Sequence, residues 1–186
     1  VRQLIHAVTD GAGLPDFVQT KLLSLVPEID AVCIREKELS AQQLFTRLTG
    51  LIERGMPPEK LILHSSPDLV PFLPVLGVHF SEFDEQLTDF KQKYPDKLAG
   101  RSVHCISSAR KAESQGADYL YFGHVFATNS KKNLPGRGLD VLHQVTQAVT
   151  IPVIAIGGIH EGNIAQVRQA GASGAAMISA FFNRKV

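Results

Sequence analysis

Tryptophan is absent from this 186-residue chain, and cysteine and methionine occur only twice each. Cys33 and Cys105 lie far apart and belong to no CxxC or Cys/His cluster, so neither a disulfide scaffold nor a zinc ribbon is expected. An excess of one charge is also lacking: 19 Lys and Arg oppose 18 Asp and Glu, for a formal net charge of +1. That balance speaks against a polyanion-coating protein. The 10 Phe and 3 Tyr are not interleaved with basic residues in the way that grips nucleic acid. No apolar run approaches the roughly 20 residues needed to span a bilayer, and no charged-then-apolar segment opens the sequence. The expected setting is therefore a reducing cytoplasm, with neither membrane nor nucleic acid as partner. The first strand-like run is not followed by GxGxxG, and Walker A, HExxH, EF-hand and GxSxG patterns are absent. Neither a metal nor a cofactor is expected.

Short apolar runs, evenly spread, are what the sequence does contain. Strands are predicted at Leu4–Val8, Ala31–Ile34, Lys60–Leu63, Gly77–Phe80, Leu98–Val103, Asp118–Phe122, Pro152–Ile156 and Gly174–Ile178. Continuous Val, Ile and Leu in runs this short suit strands buried on both faces. Helical stretches lie between them. Asp16–Val26 groups Phe17, Val18, Leu22, Leu25 and Val26 near one face. Ser40 is placed to cap a helix running to about Arg54, with Gln43 at the capping-box position and Leu44, Leu48, Leu51 and Ile52 as the apolar stripe. Ser107–Gln115 and Leu139–Val149 follow the same pattern, and Glu161–Ala170 ends at Gly171, a good helix stop.

Strand and helix alternate roughly eight times, which calls for a parallel sheet with helices outside it. An open doubly wound sheet and a closed barrel both satisfy that alternation. The count of units favours one compact TIM (β/α)8-barrel domain over residues 1–186. Its last outer helix is expected to be missing or truncated, because Val186 follows the last strand by only a few residues.

Barrel chemistry sits at the carboxyl ends of the strands. Ile156–Gly157–Gly158 runs an apolar strand straight into paired glycines, which let backbone N–H groups turn toward a ligand. With Ser179 after the last strand, these glycines form a candidate phosphate site; a tight turn is the plainer reading. In Cys33–Ile34–Arg35–Glu36–Lys37, Arg35 alternates inward with Cys33 and can grip a carboxylate or phosphate, while Glu36 points to the other face. A solvated charged turn accounts for the triplet equally well. His124, in Phe122–Gly123–His124–Val125–Phe126, follows a buried strand and precedes a cationic, glycine-containing loop over Thr128–Gly138. Imidazole exchanges protons near neutral pH, so His124 is the candidate proton carrier and that loop a candidate lid. His6, His79 and His104 lie within or beside strands, where packing explains them, and both cysteines are expected as small core residues.

Several of these runs carry a resemblance. Ile34–Arg35–Glu36–Lys37, Gly77–Val78–His79, Gln115–Gly116–Ala117–Asp118–Tyr119, Val125–Phe126–Ala127–Thr128 and Pro152–Val153–Ile154–Ala155–Ile156–Gly157–Gly158–Ile159 together resemble the thiamine phosphate synthase superfamily, in order and over nearly the whole chain. The synthase branch carries Gln ahead of Arg-Glu-Lys, Asn-Asp after the third strand for magnesium and pyrimidine diphosphate, and Gly-Pro-Val-Phe-Pro-Thr. Here Cys33, His64–Ser65–Ser66 and Gly123–His124–Val125–Phe126–Ala127–Thr128 stand instead. The last of these, the following Lys131–Lys132, and Gly100–Arg101–Ser102–Val103–His104 resemble the other branch, the TenI thiazole tautomerases.

That resemblance implies isomerisation of a phosphorylated carboxythiazole to its aromatic tautomer, without metal. His124 would move the proton. Arg35, Ser102 and Lys132 would hold the carboxylate, although one register shift exchanges Lys131 for Lys132. Gly157, Gly158 and Ser179 would hold phosphate. The resemblance also implies a homodimer. The open alternatives are a magnesium-dependent thiamine phosphate synthase and a non-catalytic sensing or regulatory protein on the same barrel.

Overall fold

A computed structural model describes residues 3–128 and 134–182 of the chain. Eight parallel strands close into a barrel in sequence order: β1 (Leu4–Val8), β2 (Ala31–Ile34), β3 (Leu61–His64), β4 (Gly77–Phe80), β5 (Leu98–Val103), β6 (Tyr119–Gly123), β7 (Val153–Ile156) and β8 (Gly174–Met177). The seam is a regular parallel ladder, with Leu4 opposite Gly174 and His6 opposite Ala176. The barrel alternative is therefore the one the chain adopts. Outside it run α1 (Asp16–Leu25), α2 (Ala41–Glu53), α3 (Leu87–Lys93), α4 (Ile106–Ser114), α5 (Gly138–Ala148), α6 (Ile164–Gln169) and the single turn α7 (Ser179–Phe182). Among the described residues, α7 is all that stands where the eighth outer helix begins.

Period-two alternation divides the strand side chains into two packed sets. Val32, Ile34, Leu61, Leu63, Val78, Leu120, Phe122 and Ala155 face outward and pack under the helices. Val8, Ala31, Cys33, Ile62, Tyr119, Tyr121, Ile154 and Ala176 face inward and fill the barrel. Both sets are buried, which is why each strand reads as a continuous apolar run. The capping box at α2 forms as the sequence predicts: Gln43 N donates to Ser40 Oγ (3.2 Å) and Ser40 N donates to Gln43 Oε1 (2.9 Å).

The departures from the sequence reading are local. Between β3 and β4 there is no α-helix but a 3-10 turn over Pro67–Leu69. Pro67, Pro71 and Pro74 remove the N–H donors a helix needs there. The short α3, which the sequence reading passed over, buries Leu87 and Phe90. β6 begins one residue later than expected because the Asp118 carboxylate is engaged elsewhere, accepting from Ala99 N (2.7 Å) and Lys91 Nζ (2.9 Å). β3 is displaced the same way, since Lys60 ends a 3-10 turn and donates to the carbonyls of Val26 and Ile29 (2.7 and 2.6 Å). α6 starts at Ile164 rather than Glu161, after a turn in which Asn163 Oδ1 accepts from His160 N (2.9 Å).

Glycine is obligatory at Gly100 on β5. A methyl group there would collide with the Tyr119 ring and lie 2.6 Å from His79 Nδ1, inside the barrel. Gly100→Ala is expected to lower stability by about 1–3 kcal/mol through overpacking, read as a fall in the urea midpoint at unchanged m-value.

Candidate functional site at the barrel mouth

Parallel pairing of all eight strands puts their carboxyl ends on one side. Arg35, His64, Ser102, His124, Gly157, Gly158 and Ser179 therefore belong to one end of the barrel. The β1 and β2 ends are tied together by side chains. Arg35 N donates to Thr9 Oγ1 (2.8 Å), and the buried Glu36 accepts from Gly13 N (2.6 Å). Glu36 thus anchors the loop after β1, consistent with its assignment to the opposite face from Arg35.

The charge on Arg35 reaches His64, the last residue of β3. His64 is held at a pKa of about 4, by burial first and then by the positive charges of Arg35 and Lys37. The His64 ring lies 5.8 Å from that of His79, and His79 Nε2 is 2.8 Å from Ser102 Oγ. Arg35 and Ser102, two of the predicted carboxylate ligands, are thus linked through two neutral histidines. The sequence reading named His64 only as part of a polar strand end and left His79 as packing. Their signal was the period-two inward register shared with Arg35 and Ser102.

His124 is 7% exposed and follows a cis peptide with Gly123. Its Nε2 lies 3.3 Å from the Leu134 carbonyl. A carbonyl only accepts, so Nε2 carries the hydrogen in that contact and Nδ1 keeps its lone pair. Nδ1 is buried and has no hydrogen-bond partner among the described residues. The backbone around His124 is gripped from two sides: His104 Nδ1 (2.6 Å) and Arg137 Nε (2.9 Å) both donate to the Gly123 carbonyl, and Arg137 N donates to the His124 carbonyl (2.9 Å). His104 also faces Glu82, with Nε2 3.7 Å from the carboxylate. The reading of His104 as mere packing is corrected here: the next strand supplies it with an acceptor.

Gly157 and Gly158 both have positive φ (99° and 66°). A side chain on Gly157 would strike His124, and one on Gly158 would lie 2.6 Å from the Ala127 carbonyl and 2.8 Å from Phe126 Cβ. Close approach of the segment after β6 is thus one reason for glycine at this pair. Ser179 opens α7 directly after β8, whose neighbour β7 leads into the glycines. Lys132, with Lys131, lies outside the described residues.

The cysteines divide. Cys33 is a core residue, its thiol pushed up to about 12 by burial. Cys105 is exposed at the start of α4, and hydrogen bonds from Ser107 and Ser108 bring its thiol down to about 7. The expectation of a core residue is wrong for Cys105 because the chain leaves the barrel two residues earlier, at Val103. Among the described residues no group of three or more His, Cys, Asp or Glu is placed to hold a metal ion, and no helix is long and apolar enough to cross a membrane.

This end of a closed parallel barrel, with cationic and glycine-rich strand termini, is the frame of small-anion-handling (β/α)8 enzymes. The chain belongs to the TMP-TENI family of thiamine biosynthesis: the family described as thiamine monophosphate synthase matches residues 5–181. It is 37% identical over 161 residues to the thiamine-phosphate synthase of Chloroflexus aurantiacus, covering 84% of this chain and 74% of that protein. It is 33% identical over 189 aligned positions to the thiamine-phosphate synthase of Desulfitobacterium hafniense, covering 97% and 90%. Among solved structures, the thiamine phosphate pyrophosphorylase from Pyrococcus furiosus superposes with a TM-score of 0.79 at 28% identity, over 96% of this chain and 86% of that one.

The buried histidines set a pH dependence. His6 and His64 are both held at about 4 in the folded state, by burial first, and His79 is lowered as well. The unfolded chain binds these protons as pH falls through about 6.5. The contribution of His6 and His64 to stability is therefore complete above about 6.5, is lost as pH falls toward 4, and then levels off. A drop from 6.5 to about 4 corresponds to roughly 3 kcal/mol for each of His6 and His64. Urea midpoints measured at several pH values from 7 to 4 should fall, and less steeply for His64→Asn. Superimposable profiles for the two proteins would contradict the assignment.

Proposed function

We propose that this member of the family is a thiazole tautomerase, converting a non-aromatic carboxythiazole ethylidene phosphate to its aromatic tautomer. The observation that carries the reading is His124: a buried imidazole at the mouth, with an Nδ1 that has no partner among the described residues and a backbone clamped by His104 and Arg137. His124 accepts the proton from the ring carbon bearing the carboxylate and returns it to the exocyclic carbon, so no net proton is gained or lost. Aromatisation drives the change, and the protein supplies positioning and one acid–base group. Arg35 and Ser102, with Lys132, hold the carboxylate and spread the charge that builds up in the transition state. The amides at Gly157 and Gly158, with Ser179, hold the phosphate, as glycine-rich strand ends of such barrels do. The resemblance to the family extends the proposal to a homodimer in the cytoplasm.

The second reading is thiamine phosphate synthase, and the relatives' names favour it: those at 37% and 33% identity are both called thiamine-phosphate synthase. Against it stands the donor set. His64–Ser65–Ser66 at the β3 end offers no carboxylate for magnesium. At the β4 end, Glu82 faces His104, and the Asp84 carboxylate accepts from Gln86 N (3.0 Å). These residues do not fit the ion.

Purified protein incubated with the non-aromatic tautomer should accelerate aromatisation, and His124→Asn should slow the single-turnover rate by roughly 10²–10⁴-fold while leaving the affinity for the aromatic product nearly unchanged. An unchanged rate in a folded variant would remove His124 from the chemistry. In parallel, the protein should not join thiazole phosphate to pyrimidine diphosphate with magnesium. Efficient chelator-sensitive coupling would establish the synthase instead.

A further inference from the structure

The barrel interior holds polar groups that the function above does not use, His6, Tyr121, Tyr119 and His79, and the last of them reaches Ser102. His6 Nδ1 lies 2.7 Å from the Tyr121 hydroxyl, and the Tyr121 ring lies 5.4 Å from that of Tyr119. Tyr119 in turn lies 3.1 Å from His79 Nδ1, and His79 Nε2 is 2.8 Å from Ser102 Oγ. The His79 ring is stacked on that of Tyr121, with centroids 4.1 Å apart. Burial lowers the imidazoles of His6 and His79 and raises both phenols, so every member of the line is neutral.

A neutral imidazole has one N–H, and a hydroxyl has one hydrogen. Each of the two links of His79, to Tyr119 and to Ser102, needs one hydrogen, so the line they form has only two cooperative polarities. In one, Ser102 donates to His79 Nε2 and presents only lone pairs to the mouth. In the other, Tyr119 donates to His79 Nδ1, and His79 Nε2–H donates to Ser102 Oγ. The Ser102 hydrogen is then free to be donated outward. The surroundings select the second polarity whenever an anion is present. His64, beside His79, already feels the positive charges of Arg35 and Lys37, so this side of the mouth is electropositive.

We propose that His79 is a positioning residue: as its Nε2–H tautomer it holds Ser102 with the hydroxyl hydrogen directed at an anionic group of the ligand, and the Tyr119 hydroxyl, donating to Nδ1, keeps it in that tautomer. The proposal rests on the tautomerase reading, in which Ser102 receives the substrate carboxylate.

Ring ¹⁵N spectra of the protein saturated with the aromatic carboxythiazole phosphate test it directly. Protonated Nε2 and bare Nδ1 are expected at His79; the opposite tautomer overturns the proposal. A double-mutant cycle on the affinity for the same ligand gives the second readout. Ser102→Ala and His79→Leu should each weaken binding about tenfold, and the double variant should be no weaker than either single one. Additive losses would make His79 merely structural and overturn the proposal. His79→Gln, which keeps one donor and one acceptor, should retain most of the affinity and serves if His79→Leu does not fold; a Gln variant as weak as Ser102→Ala counts against the role. Both measurements are made at equilibrium and do not depend on turnover. Wild-type protein that does not bind the carboxylated ligand would overturn the assignment of the ligand and this role with it. Binding with the wrong tautomer overturns the role of His79 alone.

Discussion

The parallel ladder between β1 and β8 is the contact on which the rest depends. With Leu4 opposite Gly174 and Ala7 opposite Met177, the sheet has no free edge, and its interior becomes a space walled on all sides by backbone. Closure has two consequences. It brings eight strand ends to one rim, so residues as distant in sequence as Arg35 and Ser179 share a surface. It also seals the interior from bulk water, so any polar side chain inside must find its partner inside. The His6–Tyr121 and His79–Tyr119 hydrogen bonds meet that demand, and Gly100 gives up its side chain to make room for the second.

Around His124 the same economy operates on the backbone. The carbonyl of Gly123 receives both a histidine and an arginine, and the paired glycines after β7 let the His124 backbone approach closely. In the proposed reaction His124 takes a proton from one carbon and returns it to another, which needs a fixed origin, and this packing supplies it. Glycine at 157 and 158 therefore has a packing reason that coexists with the proposed anion site: the conformation that accommodates His124 and Phe126 is also one available to glycine at positive φ.

Much of the architecture was legible in the sequence, for a specific reason. Strands buried on both faces must be apolar throughout, and eight short Val, Ile, Leu and Ala runs spaced by helix-length segments suit few architectures besides a parallel barrel or doubly wound sheet. Where the reading slipped, local chemistry had overridden the pattern. Three prolines removed the helix expected between β3 and β4, and the Asp118 carboxylate was recruited to the neighbouring strand instead of starting its own. The histidines were the least legible. His6, His79 and His104 each occupy an apolar strand or its end, a setting in which simple packing is the usual role, and nothing local reveals the tyrosine, serine or carbonyl that another strand presents. Cys105 was misplaced for the converse reason, since an apolar-looking residue two positions past the end of the strand lies outside.

Sequence alone determined the alternation of elements, the caps such as Ser40 with Gln43, the absence of a carboxylate at His64–Ser65–Ser66, and the residue types at the strand ends. These follow from local propensity and periodicity, which act over a few residues. Tertiary structure decided which of those strand ends meet. The choice of a barrel over an open sheet, the run from Tyr119 through His79 to Ser102, and the double grip on the Gly123 carbonyl depend on register between strands as distant in sequence as β1 and β8, where Leu4 lies opposite Gly174. No short-range pattern encodes that register; closure of the β1–β8 seam sets it, because only the closed ladder pairs every strand and leaves the inward side chains to satisfy one another.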